Sequence, residues 1–340
     1  MNLEDFNYSL PKQLIAKRPN VKKKSKVLIH DKRKIIEFDQ ILNEFNKDDV
    51  IIFNNTKVIP SIIKGIHDGK MIKLTLLDNY KKYFWNAFIK PAKKVKENTK
   101  IEFNKNFYCT ITKKTSAIAE VKFNYNYNQV MNYLDKCGDL PLPPYIKTLS
   151  DRQLDEKYYQ TVFAKNIGAV ACPTAGLHFS ESLLKKFKNK NIETIFITLH
   201  VGAGTFLPLK NEKVTKNILH KERGIITKEV AEKINNAISN KKRIVAVGTT
   251  VVRLLEACYC KYGKIRDFNE DTNLFIYPGF KFNVINKLIT NFHLPKSSLL
   301  ILVSAFSGEN KIKEIYKFAI RHNMRFFSFG DAMLLDKNEF

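Results

Sequence analysis

An α/β fold, in which a main domain is interrupted by a small β-rich insertion, is predicted by three features of this sequence. Two strand-to-helix junctions, Val247-Gly248-Thr249-Thr250 and Phe292-His293-Leu294-Pro295-Lys296-Ser297, end apolar runs with small or polar residues immediately before helix starts. Between residue 61 and about residue 128 the helical period disappears, and short alternating segments replace it. A proline-rich stretch, Leu140-Pro141-Leu142-Pro143-Pro144-Tyr145-Ile146, then returns the chain to α/β patterning, because proline fixes φ and removes a donor. With 340 residues and 44% hydrophobic content the chain can bury two cores. Residues 1–60 and 141–340 are assigned to the main domain and 61–140 to the insertion.

Taken in order, a strand is expected around Lys26 to His30. Val50-Ile51-Ile52-Phe53 is a second, stopped by the turn chemistry of Asn54-Asn55-Thr56. In the insertion, Met71–Leu77, Tyr83–Ile89, Lys100–Phe103, Phe107–Thr112 and Ala117–Phe123 are short β-rich segments at regular spacing. They suit a small barrel or a sandwich. Asn128–Cys137 can form one helix. After the proline linker, Ser180 can cap a helix beginning just after His178, with Phe179 packed on Leu184 as a staple. Thr194–Val201 is a buried strand by its β-branched and aromatic content, ended by Gly202-Ala203-Gly204-Thr205. Lys228–Ser239 carries a helical apolar stripe, and Ile244–Val247 is a buried strand. Phe275-Ile276-Tyr277 reads as extended, as does Lys287–Phe292. Helices are expected at Leu299–Phe306 and Ile312–Ile320, and a last strand at Arg325–Phe329 before Gly330-Asp331.

Lysine and arginine number 58 against 33 acidic residues, a formal charge of +25. Such an excess favours a polyanionic partner, since each phosphate neutralised releases counterions. A solvated face accounts equally well for any one basic run. Five cysteines without a Cys-x-x-Cys pair argue against a disulfide framework or a structural zinc site. The start lacks a basic-then-apolar leader and no apolar run is long enough to cross a bilayer, so a cytoplasmic protein that neither spans nor binds a membrane is expected.

Four histidines, His178, His200, His220 and His293, fall at predicted element ends. No His-Glu-x-x-His pattern or helical pairing makes them metal ligands, so no metal is expected. Grouped at such ends they suit an acid–base or ligand-holding site, with Glu222 as a possible carboxylate base. Arg253 either binds a ligand carboxylate or pairs with Glu256 three residues on. Gly202-Ala203-Gly204 is no dinucleotide fingerprint, because Phe206-Leu207-Pro208 follows where a helix should start.

Long motifs then appear in fixed order: Phe53-Asn54-Asn55-Thr56-Lys57-Val58, the proline linker, Pro173-Thr174-Ala175-Gly176-Leu177-His178-Phe179, Leu199-His200-Val201-Gly202-Ala203-Gly204-Thr205-Phe206, Val247-Gly248-Thr249-Thr250, Tyr277-Pro278-Gly279, Thr290-Asn291-Phe292-His293-Leu294-Pro295 and Gly330-Asp331-Ala332-Met333. From Phe6 to Leu335 the chain resembles the S-adenosylmethionine:tRNA ribosyltransferase-isomerase family of queuosine biosynthesis. The resemblance implies a mixed-sheet, barrel-like main α/β domain with an inserted small antiparallel β-barrel. It also implies ribosyl transfer from S-adenosylmethionine, as co-substrate and without a cofactor, to a 7-aminomethyl-7-deazaguanine wobble base of tRNA.

On that footing His178, His200, His220, Glu222 and His293 are expected to be catalytic. Asn54, Asn55, Thr56, Thr174, Gly176, Gly202, Gly204, Thr205, Thr249, Thr250, Arg253 and Asp331 are expected to bind substrate. The partners are tRNA carrying the queuosine precursor base and S-adenosylmethionine, acting on a monomer. Lys22–Lys24 and Lys241–Arg243 are candidates for phosphate contacts near the cleft. The chain departs from the family pattern at Gly224, Val251, Phe280 and Phe329, where an aromatic, a serine and two tyrosines are usual. A non-catalytic tRNA-binding protein and a tRNA methyltransferase are the competing classes; the second lacks the Gly-rich first strand-to-helix turn it would need.

Overall fold

The computed structural model of the chain describes residues 1–20, 24–115, 118–143, 145–146, 152–202, 204 and 208–338. Its strands are β1 (Lys26–Ile29), β2 (Lys34–Glu37), β3 (Asp49–Asn54), β4 (Thr56–Val58), β5 (Ile62–His67), β6 (Lys70–Lys81), β7 (Phe84–Lys90), β8 (Lys100–Asn104), β9 (Phe107–Thr115) and β10 (Ile118–Phe123), followed by β11 (Asn166–Ala169), β12 (Glu193–Leu199), β13 (Glu222–Ile226), β14 (Arg243–Val247), β15 (Phe268–Thr272), β16 (Lys287–Asn291) and β17 (Ala332–Asp336). The helices are α1 (Tyr127–Cys137), α2 (Arg152–Tyr158), α3 (Glu181–Asn189), α4 (Lys228–Ser239), α5 (Thr249–Tyr262), α6 (Ser298–Ser307) and α7 (Glu309–Arg321).

Nine strands form one mixed sheet in the order β15-β13-β12-β3-β14-β16-β17-β1-β2. β12, β3, β14 and β16 run parallel to their neighbours in that group, while β17 and β13 run antiparallel to β16 and β12. The carboxyl ends of the four parallel strands therefore share one rim. Glu222 at the start of β13, and Lys26 and Ala332 at the starts of β1 and β17, lie on the same rim. The central strands are buried on both faces, as their continuous apolar runs require. One face packs under α4 to α7 and the other under α3 and the short helical turn Phe38–Glu44.

β5 to β10 close into an antiparallel barrel around Trp85, Phe107 and Phe123, capped by Val130 and Leu134 of α1. The barrel is inserted between β4 and β11, which pair in parallel, so the chain leaves and re-enters the main domain side by side. The alternation of residues 70–123 is what a barrel wall demands, one face inward and one in water.

Local chemistry sets most element ends where the sequence places them. Ser180, Thr227 and Ser297 each accept a first-turn N–H, capping α3, α4 and α6. Two expectations fail. The strand near Phe275 is instead β15, seven residues earlier, while Phe275-Ile276-Tyr277 runs through a loop. The last strand is β17 rather than Arg325–Phe329. Phe327 turns with φ 72°, and the Asp331 carboxylate ties down the N–H of Arg325 at 2.8 Å and that of Lys26 at 2.8 Å.

Candidate active site

The shared rim gathers the loops that follow β3, β12, β14 and β16. Two adjoining hollows lie there. The first, about 390 Å³, is lined by Thr174, Val201, Gly248, Thr249, Thr250, Arg253, Thr290, Asn291 and His293, with Tyr145, Tyr159 and Phe327 among its apolar walls. The second, about 630 Å³, lies between barrel and sheet; His200, Val201, Gly202, Gly204, His220 and Glu222 face Leu77, Trp85, Phe88 and Tyr127. Val201 belongs to both walls. A small gap of about 30 Å³ lies between them, bordered by Arg253 of the first and by Gly204, His220 and Glu222 of the second.

At the floor of the first hollow, Gly248 starts α5 with φ 91°, a conformation a side chain rarely adopts, and no side chain caps the helix. The first-turn N–H groups and the positive end of the helix dipole are thus presented at the hollow. Arg253, one turn on, donates through Nε to the Leu274 carbonyl at 3.2 Å and pairs through Nη1 with Glu222. Its Nη2 is buried with no hydrogen-bond partner, as is Thr250 Oγ1. A buried unpaired donor costs about 1–3 kcal/mol. Two of them at an uncapped helix start are suited to a ligand carboxylate.

Arg253 therefore does not pair with Glu256. The Glu256 carboxylate instead accepts the backbone N–H groups of Asn283, Val284 and Ile285 at 3.0, 3.0 and 3.2 Å, fixing the approach to β16. Glu222 Oε1 also accepts the Gly202 N–H at 2.9 Å, so one buried carboxylate joins α5 to the glycine turn.

His293 lies in the first hollow with Nε2 3.1 Å from Thr290 Oγ1. Burial pushes its pKa down to about 3, so the ring is neutral near pH 7. His200 lies in the second hollow with Nδ1 2.8 Å from Thr56 Oγ1, and burial, then Arg223, lowers its pKa. His220 is exposed and sits against Gly204, where a Cβ would lie 2.4 Å from its Cδ2. That close approach is the reason for glycine at 204.

The remaining expected residues divide differently. His178 lines neither hollow. Its Nε2 accepts from Asn291 Nδ2 at 3.0 Å, which leaves Nδ1 to donate to Ser25 Oγ at 2.9 Å, and its ring stacks on Phe38. Burial lowers its pKa to about 4. It orients Asn291, whose Oδ1 accepts from Thr174 Oγ1 at 3.2 Å. Asn54 holds both the N–H and the carbonyl of Leu199, and Asn55 accepts from Thr198 Oγ1 at 2.7 Å. These two asparagines position His200 rather than line a hollow. Gly176 makes room for Phe163 and Thr161, and Asp331 anchors backbone as described above. Thr205 lies outside the described residues.

Lys241–Arg243 stands at the amino end of β14, the far end of the sheet from Gly248, and Arg243 is held by Asp49 through two 2.8 Å bonds. These residues are not near the cleft. Lys24 lies on the correct rim, 2.8 Å from Asp39, while Lys22 and Lys23 fall outside the described residues. Asn291 and Thr290 of the first hollow and Trp85 and Tyr127 of the second are not among the residues expected from the sequence, although the first two stand inside the motif around His293. The departures are absorbed by packing. Leu254 and Phe268 fill the space beside Gly224, Val251 is fully buried, Phe280 packs edge-on to Phe282, and Phe329 packs against Tyr159. Among the described residues, no group of three metal-ligating side chains occurs and no helix is long and apolar enough to cross a membrane.

The family model described as "Queuosine biosynthesis protein" matches residues 3–335. The chain is 45% identical over 342 residues to the S-adenosylmethionine:tRNA ribosyltransferase-isomerase of Sulfurihydrogenibium sp. (strain YO3AOP1), covering 98% of this chain and 100% of that one. It is 43% identical over 343 residues to the protein of the same name from Aquifex aeolicus (strain VF5), again covering 98% and 100%. A crystal structure of S-adenosylmethionine tRNA ribosyltransferase from Thermotoga maritima superposes with a TM-score of 0.54 at 30% identity, covering 97% of this chain and 99% of that chain. With one rim holding the histidines, the glycine turn and the arginine, and with likeness along the whole chain, this protein belongs to the S-adenosylmethionine:tRNA ribosyltransferase-isomerase family of enzymes of queuosine biosynthesis.

Proposed function

We propose that the enzyme transfers and isomerises the ribosyl group of S-adenosylmethionine onto the 7-aminomethyl-7-deazaguanine wobble base of a tRNA, releasing epoxyqueuosine-tRNA, adenine and methionine. The observation that carries this reading is the pair of buried, unpartnered donors, Arg253 Nη2 and Thr250 Oγ1, at the uncapped start of α5. They suit the methionine carboxylate of the donor. With that end fixed in the first hollow, the ribose and sulfonium lie toward the gap at Gly204, His220 and Glu222, and the acceptor enters the second hollow.

A sulfonium acidifies the adjacent C5′–H. A base taking that proton gives an ylide that expels adenine, the acceptor amine attacks, and methionine leaves as the epoxide closes. His220, His200 and Glu222 border the path and are the proposed proton-handling groups. Neutral His293, held by Thr290, is a poor base at its lowered pKa and supplies a hydrogen bond instead. His178 acts through Asn291. No metal or cofactor enters this scheme, and one chain contains both hollows, as a monomeric enzyme would need.

The test is product analysis with S-adenosylmethionine and precursor-bearing tRNA. Adenine and methionine in equal amounts, with a matching mass gain on the tRNA, are expected. Release of S-adenosylhomocysteine, or tight tRNA binding without adenine, would replace this reading with a methyltransferase or a binding protein.

A further inference from the structure

The second hollow has two unlike walls. The sheet side is polar, with His200, His220 and Glu222. The barrel side is apolar and aromatic, and its centre is Trp85 stacked on Tyr127, with ring centroids 5.6 Å apart and planes 6° from parallel. Trp85 is 2% exposed and Tyr127 40% exposed, so the indole backs a phenol ring whose other side is open. The indole Nε1–H is buried with no hydrogen-bond partner, although Trp N–H groups in proteins usually find one. A flat, electron-rich face opposite a wall of hydrogen-bonding side chains is the surface chemistry that receives an unstacked nucleobase.

We propose that the Tyr127–Trp85 wall of the inserted barrel is the platform on which the wobble base of the tRNA is held, stacked on the open face of Tyr127 with Trp85 behind it. This rests on the ribosyl-transfer reading and assigns the barrel a part in choosing the acceptor. The donor's adenine is the other nucleobase available. The wall takes the tRNA base because the carboxylate-binding groups belong to the first hollow, whereas Lys221 and Arg223, both exposed, border the second, where a polynucleotide must pass. The platform also explains why an enzyme site on the sheet rim needs the barrel beside it.

Trp85 is the single tryptophan of the chain, so intrinsic fluorescence reports on this wall alone. An anticodon stem-loop carrying the precursor base is expected to quench the emission, and S-adenosylmethionine alone is expected to leave it unchanged. Tyr127→Ala removes an exposed ring and leaves the barrel core intact. It should abolish most of the quenching and raise KM for tRNA about 10-fold or more, with KM for S-adenosylmethionine changed less than about 2-fold. Trp85→Phe keeps an aromatic ring behind Tyr127 and should leave KM for tRNA within about 2-fold of the parent value. Quenching by S-adenosylmethionine alone, or a rise in its KM in Tyr127→Ala, would overturn the assignment. So would unchanged tRNA KM in Tyr127→Ala of an active enzyme. If the parent enzyme releases no adenine, ribosyl transfer fails on its own, and quenching by the stem-loop still decides what the wall binds.

Discussion

Glu222 on β13 and Arg253 on α5 form an ion pair with both side chains almost wholly buried, and among the described hydrogen bonds it is the only side-chain link between a residue of the first hollow and one of the second. The donor-binding role proposed for Arg253 and the proton handling proposed beside Glu222 would thereby be joined through this contact.

Removing one partner strands the other as an uncompensated buried charge. Glu222→Gln and Arg253→Met are each expected to cost about 3–5 kcal/mol of stability, and the double variant to recover part of that loss. Arg253→Lys keeps the charge but loses Nη2, so KM for S-adenosylmethionine should rise about 10-fold while KM for tRNA stays near its parent value. Denaturant midpoints and initial rates check both; unchanged donor KM in Arg253→Lys would remove the carboxylate role.

Burial gives His178 and His293 folded pKa values of about 4 and about 3, below the ordinary 6.5. Unfolded histidine takes up its proton first as pH falls. The stability held at neutral pH is therefore complete above about 6.5 and is lost between there and the folded values, at about 1.4 kcal/mol per pH unit for each ring. Buried Glu256 and Asp331 have raised values and pull the other way near their own titrations. His178→Asn should flatten the profile between pH 6.5 and 4 relative to the parent, as read from urea midpoints. An unaltered slope would contradict the burial argument.

Gly204→Ala introduces a Cβ that would sit 2.4 Å from His220 Cδ2. The Cβ would also lie 2.9 Å from His220 Cβ, so the exposed ring and its backbone must both shift, and the ring then leaves the space between the hollows. A misplacement of this size can cost about 100-fold in rate. The expected result is kcat reduced by about 10- to 100-fold with thermal stability held within about 1 kcal/mol. A parental kcat would show that His220 does not act in that gap.

How much of this was legible depends on whether the cause is local. His200 at the end of β12, Gly248 before α5 and the caps at Ser180 and Ser297 follow from runs of a few residues, and they stand where expected. Arg325–Phe329 is apolar enough for a strand, yet a carboxylate bonded to Lys26, some 300 residues away in the chain, bends it into a turn, and nothing nearby signals that. Asn54 and Asn55 carry binding chemistry by type, but their amides are spent on β12. His178 shares the sequence setting of its fellow histidines, but Asn291 stands between it and the hollow. Trp85 stands inside the expected strand Tyr83–Ile89 and Tyr127 just ahead of the expected helix Asn128–Cys137, and only the closed barrel brings their stack to the hollow that His220 also lines.

The basic residues make the same point and give a last expectation. A charge of +25 says that polyanions are attracted but not to which end of the sheet. Lys221 and Arg223 border the second hollow; Lys241 lies beyond the far end of β14. Arg223 is partly engaged by Asn269 at 3.0 Å and Asp271 at 3.6 Å, contacts weak enough in water for a phosphate to replace. If phosphates run past this hollow, Lys221→Ala and Arg223→Ala should each weaken tRNA binding and reduce the slope of log affinity against log salt by about 1, and Lys241→Ala should change neither. Filter binding of tRNA across a salt series measures all three. An effect confined to Lys241 would move the RNA to the opposite edge, away from every group that can act on its base.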